Sequence, residues 1–79
     1  MYPEPDRYLL ISGPYRGNGD TNLIYEVCLV SKGSRHASLA LCRHHRTAIK
    51  RARFERTRLA ESLLIYSRFP YDDPVLVPD

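Results

Sequence analysis

The stretch from Arg43 to Arg56, RHHRTAIKRARFER, concentrates positive charge, with six Lys or Arg side chains and two histidines against one glutamate. Arginine is the main cation, and its planar guanidinium group forms paired hydrogen bonds with phosphates and carboxylates. A helix that is merely solvated usually places an acid four residues from a cation, where the two side chains pair. Few such acids are present here, so the composition predicts contact with a polyanion. A solvated helix face without a partner is the alternative interpretation.

A line of residues on the same helix adds an apolar component to the predicted contact surface. Phe54, Arg58 and Ile65 fall on one helical line that points away from the expected core. An exposed aromatic and an aliphatic side chain flanked by arginines are typical of protein-interface hot spots. A homodimer contact on this face is an alternative. The predicted binding residues are Arg43, Arg46, Lys50, Arg51, Phe54, Arg58 and Ile65.

The cysteines and histidines do not predict a metal or catalytic site. Cys28, Cys42, His44 and His45 have the spacing C-x13-C-x-H-H, which lacks the close ligand pairs of zinc modules. No carboxylate or amide is placed to orient a histidine beside a nucleophile, and no glycine-rich phosphate loop precedes a helix. We therefore expect no enzyme activity, no metal and no cofactor. A disulfide is an alternative because a hairpin brings the two cysteines close, although cytosolic thiols normally stay reduced.

Residues 8–42 are predicted to form a three-stranded antiparallel β-meander. RYLLIS ends at a Gly-Pro pair, which usually interrupts a strand, and RGNGDTN has the composition of a turn. LIYEVCLVS and RHASLALC then alternate as half-buried strands. The register that buries one apolar face of both strands pairs Leu29 with Leu39 and Val27 with Leu41.

Residues 45–68 are predicted to form one long helix. No glycine or proline interrupts this stretch, residues that favour helices dominate it, and Pro70 ends it. The apolar stripe at helical spacing comprises Ile49, Ala52, Leu59, Ala60, Leu63 and Tyr66. Arg56 falls inside this stripe, so its side chain should either extend its guanidinium group to the surface or pair with a carboxylate of the sheet or tail. The candidate partners are Glu26, Asp72 and Asp73.

The expected fold class is α+β, with the three-stranded antiparallel meander packed against one long C-terminal helix. The length of 79 residues predicts a single small domain. Residues 1–7 are expected to lead in as an extended segment. Residues 69–79 are expected to form an extended acidic tail, which either adds a short edge strand at VLV or lies on the surface.

Two segments resemble parts of known families. ISGPYRG (11–17) resembles the first strand and loop of the nucleoside deoxyribosyltransferase-like families, which implies a Rossmann-like fold with a helix after the loop. The pattern of LIYEVCLV predicts a strand there instead, so no active-site residue is transferred. The order of meander and helix, with SKGSRHASLAL leading into TAIKRA, is similar in layout to integrase arm-type DNA-binding domains, which lay a sheet into the major groove. The sheet face that this resemblance implies as the contact surface carries little charge here.

Charge and hydropathy narrow the classes of partner. The net charge is +3 and the pI is about 9.1, while the longest apolar runs are far too short to cross a bilayer. MYPEPDRY lacks the pattern of a secretory signal, which predicts a cytoplasmic setting. We predict a small non-enzymatic protein whose basic helix engages nucleic acid or an acidic protein surface of a nucleic-acid-handling complex. The alternative is a phage or mobile-element type inhibitor or adaptor, anti-CRISPR proteins included, that binds a host protein through Phe54, Arg58 and Ile65.

Overall fold

The computed structural model describes residues 5–16 and 23–79 of the chain. Residues 17–22 of the predicted turn and residues 1–4 of the predicted lead-in lie outside the described residues. The elements, in chain order, are β1 (Arg7–Arg16), β2 (Leu23–Ser31), β3 (Ala37–Cys42), α1 (His45–Leu59), β4 (Ile65–Arg68) and β5 (Val75–Leu76).

The strands form one mixed sheet in the order β3-β2-β1-β4-β5. Strands β1, β2 and β3 pair antiparallel as consecutive neighbours, whereas β4 pairs parallel to β1 and antiparallel to β5. Neighbouring parallel strands need a crossover connection, and the chain between β3 and β4 contains α1. The predicted α+β class is confirmed. The prediction that the sheet has three strands is wrong, because β4 and β5 extend it beyond β1.

The register of β2 and β3 differs from the prediction. Val27 lies opposite Ala40 and Leu29 opposite Ala37, with a register shift between Val27 and Cys28. Such a shift marks a β-bulge, in which an additional residue is inserted in one strand. Leu39 and Ala40 therefore both pack against the helix-side core, although strict alternation would place them on opposite faces.

Strand β1 runs past the Gly-Pro pair that was expected to end it. The register between β1 and β2 shifts between Ser12 and Tyr15, and pairing then continues to Arg16. Gly13 makes this path possible, because its φ is +144° and a Cβ there would lie 2.8 Å from the carbonyl oxygen of Ile24. Only glycine fits such a position readily. A strand, β2, and not a helix is the next described element after ISGPYRG.

Helix α1 is shorter than predicted and is not the C-terminal element. It ends at Leu59, where Ala60 adopts the left-handed conformation with φ 55° and its N–H bonds the carbonyl oxygen of Thr57. The prediction of a helix through residue 68 is wrong because residues 65–68 form β4 beside β1. Pairing with a central strand satisfies the backbone and buries Ile65, which outweighs the helix propensity of this segment.

The main core lies between α1 and one face of the sheet. Leu9, Ile11, Val27 and Ile65 supply its sheet side, and each is at most 1% exposed. Ala48 and Ala52 supply the helix side at 0% exposure, and their small side chains let the helix approach the strands closely.

The predicted apolar stripe of the helix is correct only in part. Ala52 is buried, and Ile49 and Leu59 pack against the core while half-buried. Ala60 is exposed just beyond the helix, whereas Leu63 is buried although it lies in the connection to β4.

A second cluster lies on the opposite face of the sheet. It consists of Tyr8, Leu10 and Val30, with Tyr66 packed against them, and the Tyr8 and Tyr66 rings meet edge to face with centroids 5.2 Å apart. Among the described residues, no helix combines the length and the apolar character that spanning a bilayer requires. Strand β5 in the tail pairs with β4, so the edge-strand alternative for VLV is the one observed.

Candidate nucleic-acid or partner interface

The outward side of α1 carries the predicted contact surface. Arg46, Lys50 and Phe54 follow one another at four-residue spacing, on the side of the helix away from the buried Ala48 and Ala52. All three side chains are exposed, Phe54 to 58%. We define the basic helix face as Arg43, Arg46, Lys50, Arg51, Phe54 and Arg58.

Glu55 lies at the flank of this face and is the only acidic residue of α1. Its side chain is 3% exposed and accepts hydrogen bonds from Arg51 Nε at 3.1 Å and Arg58 Nε at 2.7 Å. The hydrogen bond from Arg58, with a smaller contribution from Arg51, holds the pKa of the Glu55 carboxyl below its ordinary value. Burying this acid leaves α1 with positive charges alone on its exposed surface.

The cations of the basic helix face fall into two groups. Arg51 and Arg58 form ion pairs with Glu55, and their side chains remain about half exposed. Within residues 5–16 and 23–79, Arg43, Arg46 and Lys50 form no salt bridge and are exposed to solvent. These three are the cations most available to a partner.

The C-terminal tail occupies arginines on a different flank of the helix. Arg56 donates to both carboxylate oxygens of Asp79, at 2.8 and 3.3 Å, and Arg53 donates to the carbonyl oxygen of Pro78 at 3.2 Å. The ion pair with Arg56 lowers the pKa of the Asp79 carboxyl. Of the two alternatives for Arg56, pairing with a carboxylate is the one observed, but the partner is Asp79 and not one of the three candidates. The tail therefore leaves the basic helix face uncovered.

Ile65 does not belong to the contact surface. It lies in β4 opposite Leu9 and is 1% exposed, so the prediction that it points away from the sheet is wrong. The helix ends before Ile65, and the alternation of the strand turns this side chain inward. Phe54 does point outward, and the guanidinium carbon of Arg51 lies 5.3 Å from the centroid of its ring.

A cluster around His45 was not predicted as a site. The His45 Nε2 lies 2.7 Å from Ser67 Oγ, its ring meets Tyr25 edge to face at 5.4 Å, and Phe69 stacks on it at 5.7 Å with an interplanar angle of 27°. Phe69 is 45% exposed. The available sequence signal was the basic-aromatic pair of Arg68 and Phe69, but the prediction placed Arg68 at the end of the helix and Phe69 at the start of the tail.

The two cysteines are free thiols and do not face each other. Cys42 packs against the helix-side core, whereas Cys28 lies opposite Leu10 on the other sheet face. Cys28 donates from Sγ to Glu26 at 3.0 Å, and Ser38 donates to the same carboxylate at 2.9 Å. Burial, reinforced by Glu26, raises the pKa of the Cys28 thiol to about 12. This thiol is therefore protonated at neutral pH and is a poor nucleophile.

Within the part of the chain that the structure describes, no three histidine, cysteine or acidic side chains converge on a point where a metal ion would bind. Protein-family models, curated proteins and solved structures were compared with this chain, and none of them matches it.

The Glu55 ion pairs predict a pH-dependent contribution to stability. Because the folded pKa of Glu55 is lowered, its contribution is present above the unfolded pKa and is lost as the pH falls through the folded pKa. We expect Glu55→Gln to lower the free energy of unfolding by about 1 kcal/mol at neutral pH, since water screens the half-exposed guanidinium groups. The difference between variant and wild type should shrink toward zero in acid. Urea denaturation at several pH values measures it, and an equal loss at every pH contradicts the role of the charge.

Proposed function

We propose that this chain is a small non-enzymatic binding protein, cytoplasmic and independent of metal or cofactor, whose basic helix face engages nucleic acid or an acidic protein surface of a nucleic-acid-handling complex. The observation that carries the proposal is the burial of Glu55, which leaves only positive charge on the exposed surface of α1. Phosphates would meet Arg43, Arg46 and Lys50 first. Arg51 and Arg58 would add contacts from their exposed edges, with Phe54 as the apolar anchor.

The position of the cations along the helix supports a role in binding. Arg46 lies in the first turn of α1, which holds no acidic residue, and Arg43 lies just before it. The helix macrodipole is positive at this end, so cations there are unfavourable by a few tenths of a kcal/mol or more. Stability alone would favour acids at these positions. A partner that brings negative charge offsets this cost.

The salt dependence of binding tests the proposal. Neutralising phosphates releases condensed counterions, so the logarithm of affinity falls linearly with the logarithm of salt concentration. Three to five contacts predict a slope between about −2 and −4.5 over roughly 50 to 200 mM salt, measured by fluorescence anisotropy with labelled single-stranded and duplex oligonucleotides. A flat response would remove nucleic acid as the partner.

One observation favours the alternative of a phage or mobile-element type inhibitor or adaptor. Phe54 is 58% exposed beside the Arg51 guanidinium group, and aromatic-arginine pairs are common in protein-interface hot spots. The basic helix face, without Ile65, would then contact a host protein with an acidic surface or a second copy of the chain in a homodimer. Weak and salt-independent binding to every oligonucleotide would favour this alternative.

A further inference from the structure

We propose that the ligand of the basic helix face is single-stranded nucleic acid, and that one of its bases stacks on the ring of Phe69. This inference rests on the proposed function and names its substrate class. Proteins that bind single strands combine cations along the phosphate backbone with aromatic rings on which bases stack. Both elements meet at the N-terminal end of α1.

Phe69 presents a ring that is held in place and yet accessible. One side of the ring stacks on His45, with centroids 5.7 Å apart and an interplanar angle of 27°, while the side chain as a whole is 45% exposed. A flat, partly exposed ring of this kind offers a surface for one unpaired base.

His45 is itself fixed by two strands of the sheet. Its Nε2 lies 2.7 Å from the hydroxyl oxygen of Ser67 in β4, and the edge-to-face contact with Tyr25 joins it to β2. Ser67 is 8% exposed, so this anchor is buried. The ring of Phe69 is therefore held in position before a ligand binds, which reduces the entropic cost of ordering side chains on binding.

The charged side chains near Phe69 determine on which side of the ring the phosphate backbone of the bound strand lies. Arg46 adjoins His45 in the sequence, and Lys50 lies one helical turn further along α1. Asp72 and Asp73, which follow Phe69 closely in the chain, are exposed, and their carboxylates repel phosphate. A strand whose base rests on Phe69 therefore runs its backbone toward α1.

The stacking geometry selects single strands over duplex. Bases inside a duplex are already stacked on their neighbours and cannot cover Phe69 without being pulled out, which costs a few kcal/mol. Unpaired bases are free to stack on an aromatic side chain. The cations alone would bind both forms.

Tryptophan fluorescence tests the stacking directly, because the chain contains no tryptophan. In Phe69→Trp, an oligothymidylate should quench the emission of the single indole, whereas a strand of abasic residues with the same number of phosphates should not. Leu41→Trp is the matched control. Leu41 is 65% exposed opposite Glu26, on the sheet face away from α1, so its emission should not change.

Affinity measurements complete the test. Phe69→Leu should weaken oligothymidylate binding by about tenfold and leave abasic-strand binding unchanged, and Phe69→Tyr should retain the wild-type affinity. The inference is overturned, while the proposed function stands, if the wild type binds oligothymidylate and the abasic strand equally or binds duplex more tightly. It is likewise overturned if Phe69→Trp shows no quenching. Failure of every oligonucleotide to bind removes nucleic acid as the partner in the proposed function, and the inference falls with it.

Discussion

Reversing the charges of Arg46 and Lys50 together, as Arg46→Glu with Lys50→Glu, is expected to lower the affinity for a single-stranded oligonucleotide by roughly a hundredfold at low salt, about tenfold for each cation. Both side chains are exposed and form no salt bridge within the described residues, so their full charge is available to phosphates. The slope of the logarithm of affinity against the logarithm of salt concentration should also become shallower by about 1.4, since each contact with a single strand contributes about 0.7. Anisotropy titrations at several salt concentrations measure both quantities.

A second pair of substitutions controls for net charge. Lys32→Glu with Arg35→Glu changes the charge of the chain by the same amount, and these exposed residues lie in the turn between β2 and β3. If the two double variants weaken binding equally, general attraction and not the basic helix face is responsible.

The thermal stability of the same double variant distinguishes a loss of binding from a loss of folding. A glutamate at position 46 would lie in the first turn of α1, where an acid interacts favourably with the helix macrodipole. The thermal midpoint of the Arg46→Glu and Lys50→Glu variant should therefore equal or exceed that of the wild type. A loss of binding with a lowered midpoint would point to unfolding instead.

Replacing Ile65 with alanine is expected to lower the free energy of unfolding by about 3 kcal/mol. Ile65 is 1% exposed and belongs to the core cluster that also contains Leu9 and Ala52. Truncating it removes apolar burial and leaves a cavity between α1 and the sheet. For a domain of this size that is a large part of the total stability. Urea denaturation followed by circular dichroism measures the loss.

Phe54→Ala is the matched comparison, because both residues were assigned to one exposed helical line. Phe54 is 58% exposed, so its truncation should change the free energy of unfolding by no more than about 0.5 kcal/mol. Comparable losses for the two variants would contradict the burial of Ile65 in β4.

The early part of the fold was predictable because its signals are local. Alternating apolar residues mark β2 and β3, and a change to helical spacing marks the start of α1 at His45. The bulge at Leu39 was not predictable, since it depends on how well both Leu39 and Ala40 pack beneath the helix. The bulge also separates the two cysteines: the predicted register would place them on one face, but Cys42 lies on the helix side of the sheet and Cys28 on the other.

The end of the helix shows where local signals fail. Residues after Leu59 contain no glycine or proline before Pro70, so propensity favours a continued helix. A parallel position beside β1 is available, however, and it satisfies the backbone of β4 while burying Ile65 and Ser67. No local sequence pattern indicates that β1, more than fifty residues earlier in the chain, has a free edge with which β4 can pair.

The candidate site likewise has features that the sequence predicts and contacts that only the tertiary structure creates. The surplus of arginine and its location on one helix could be read from the sequence, and so could the outward position of Phe54. The stack of Phe69 on His45 joins residues from separate elements, as does the pairing of Arg56 with Asp79. Contacts of this kind appear only after the chain has folded.

The sequence by itself determined the α+β class, the order of the first four elements and the positive charge of α1, because periodicity and composition act over a few neighbouring residues. The tertiary structure alone decided which cations stay free, by burying Glu55 between Arg51 and Arg58, and it alone turned residues 65–68 into a strand. The physical reason is that burial and strand pairing depend on distant partners, and their free energies exceed the local preferences of the residues involved.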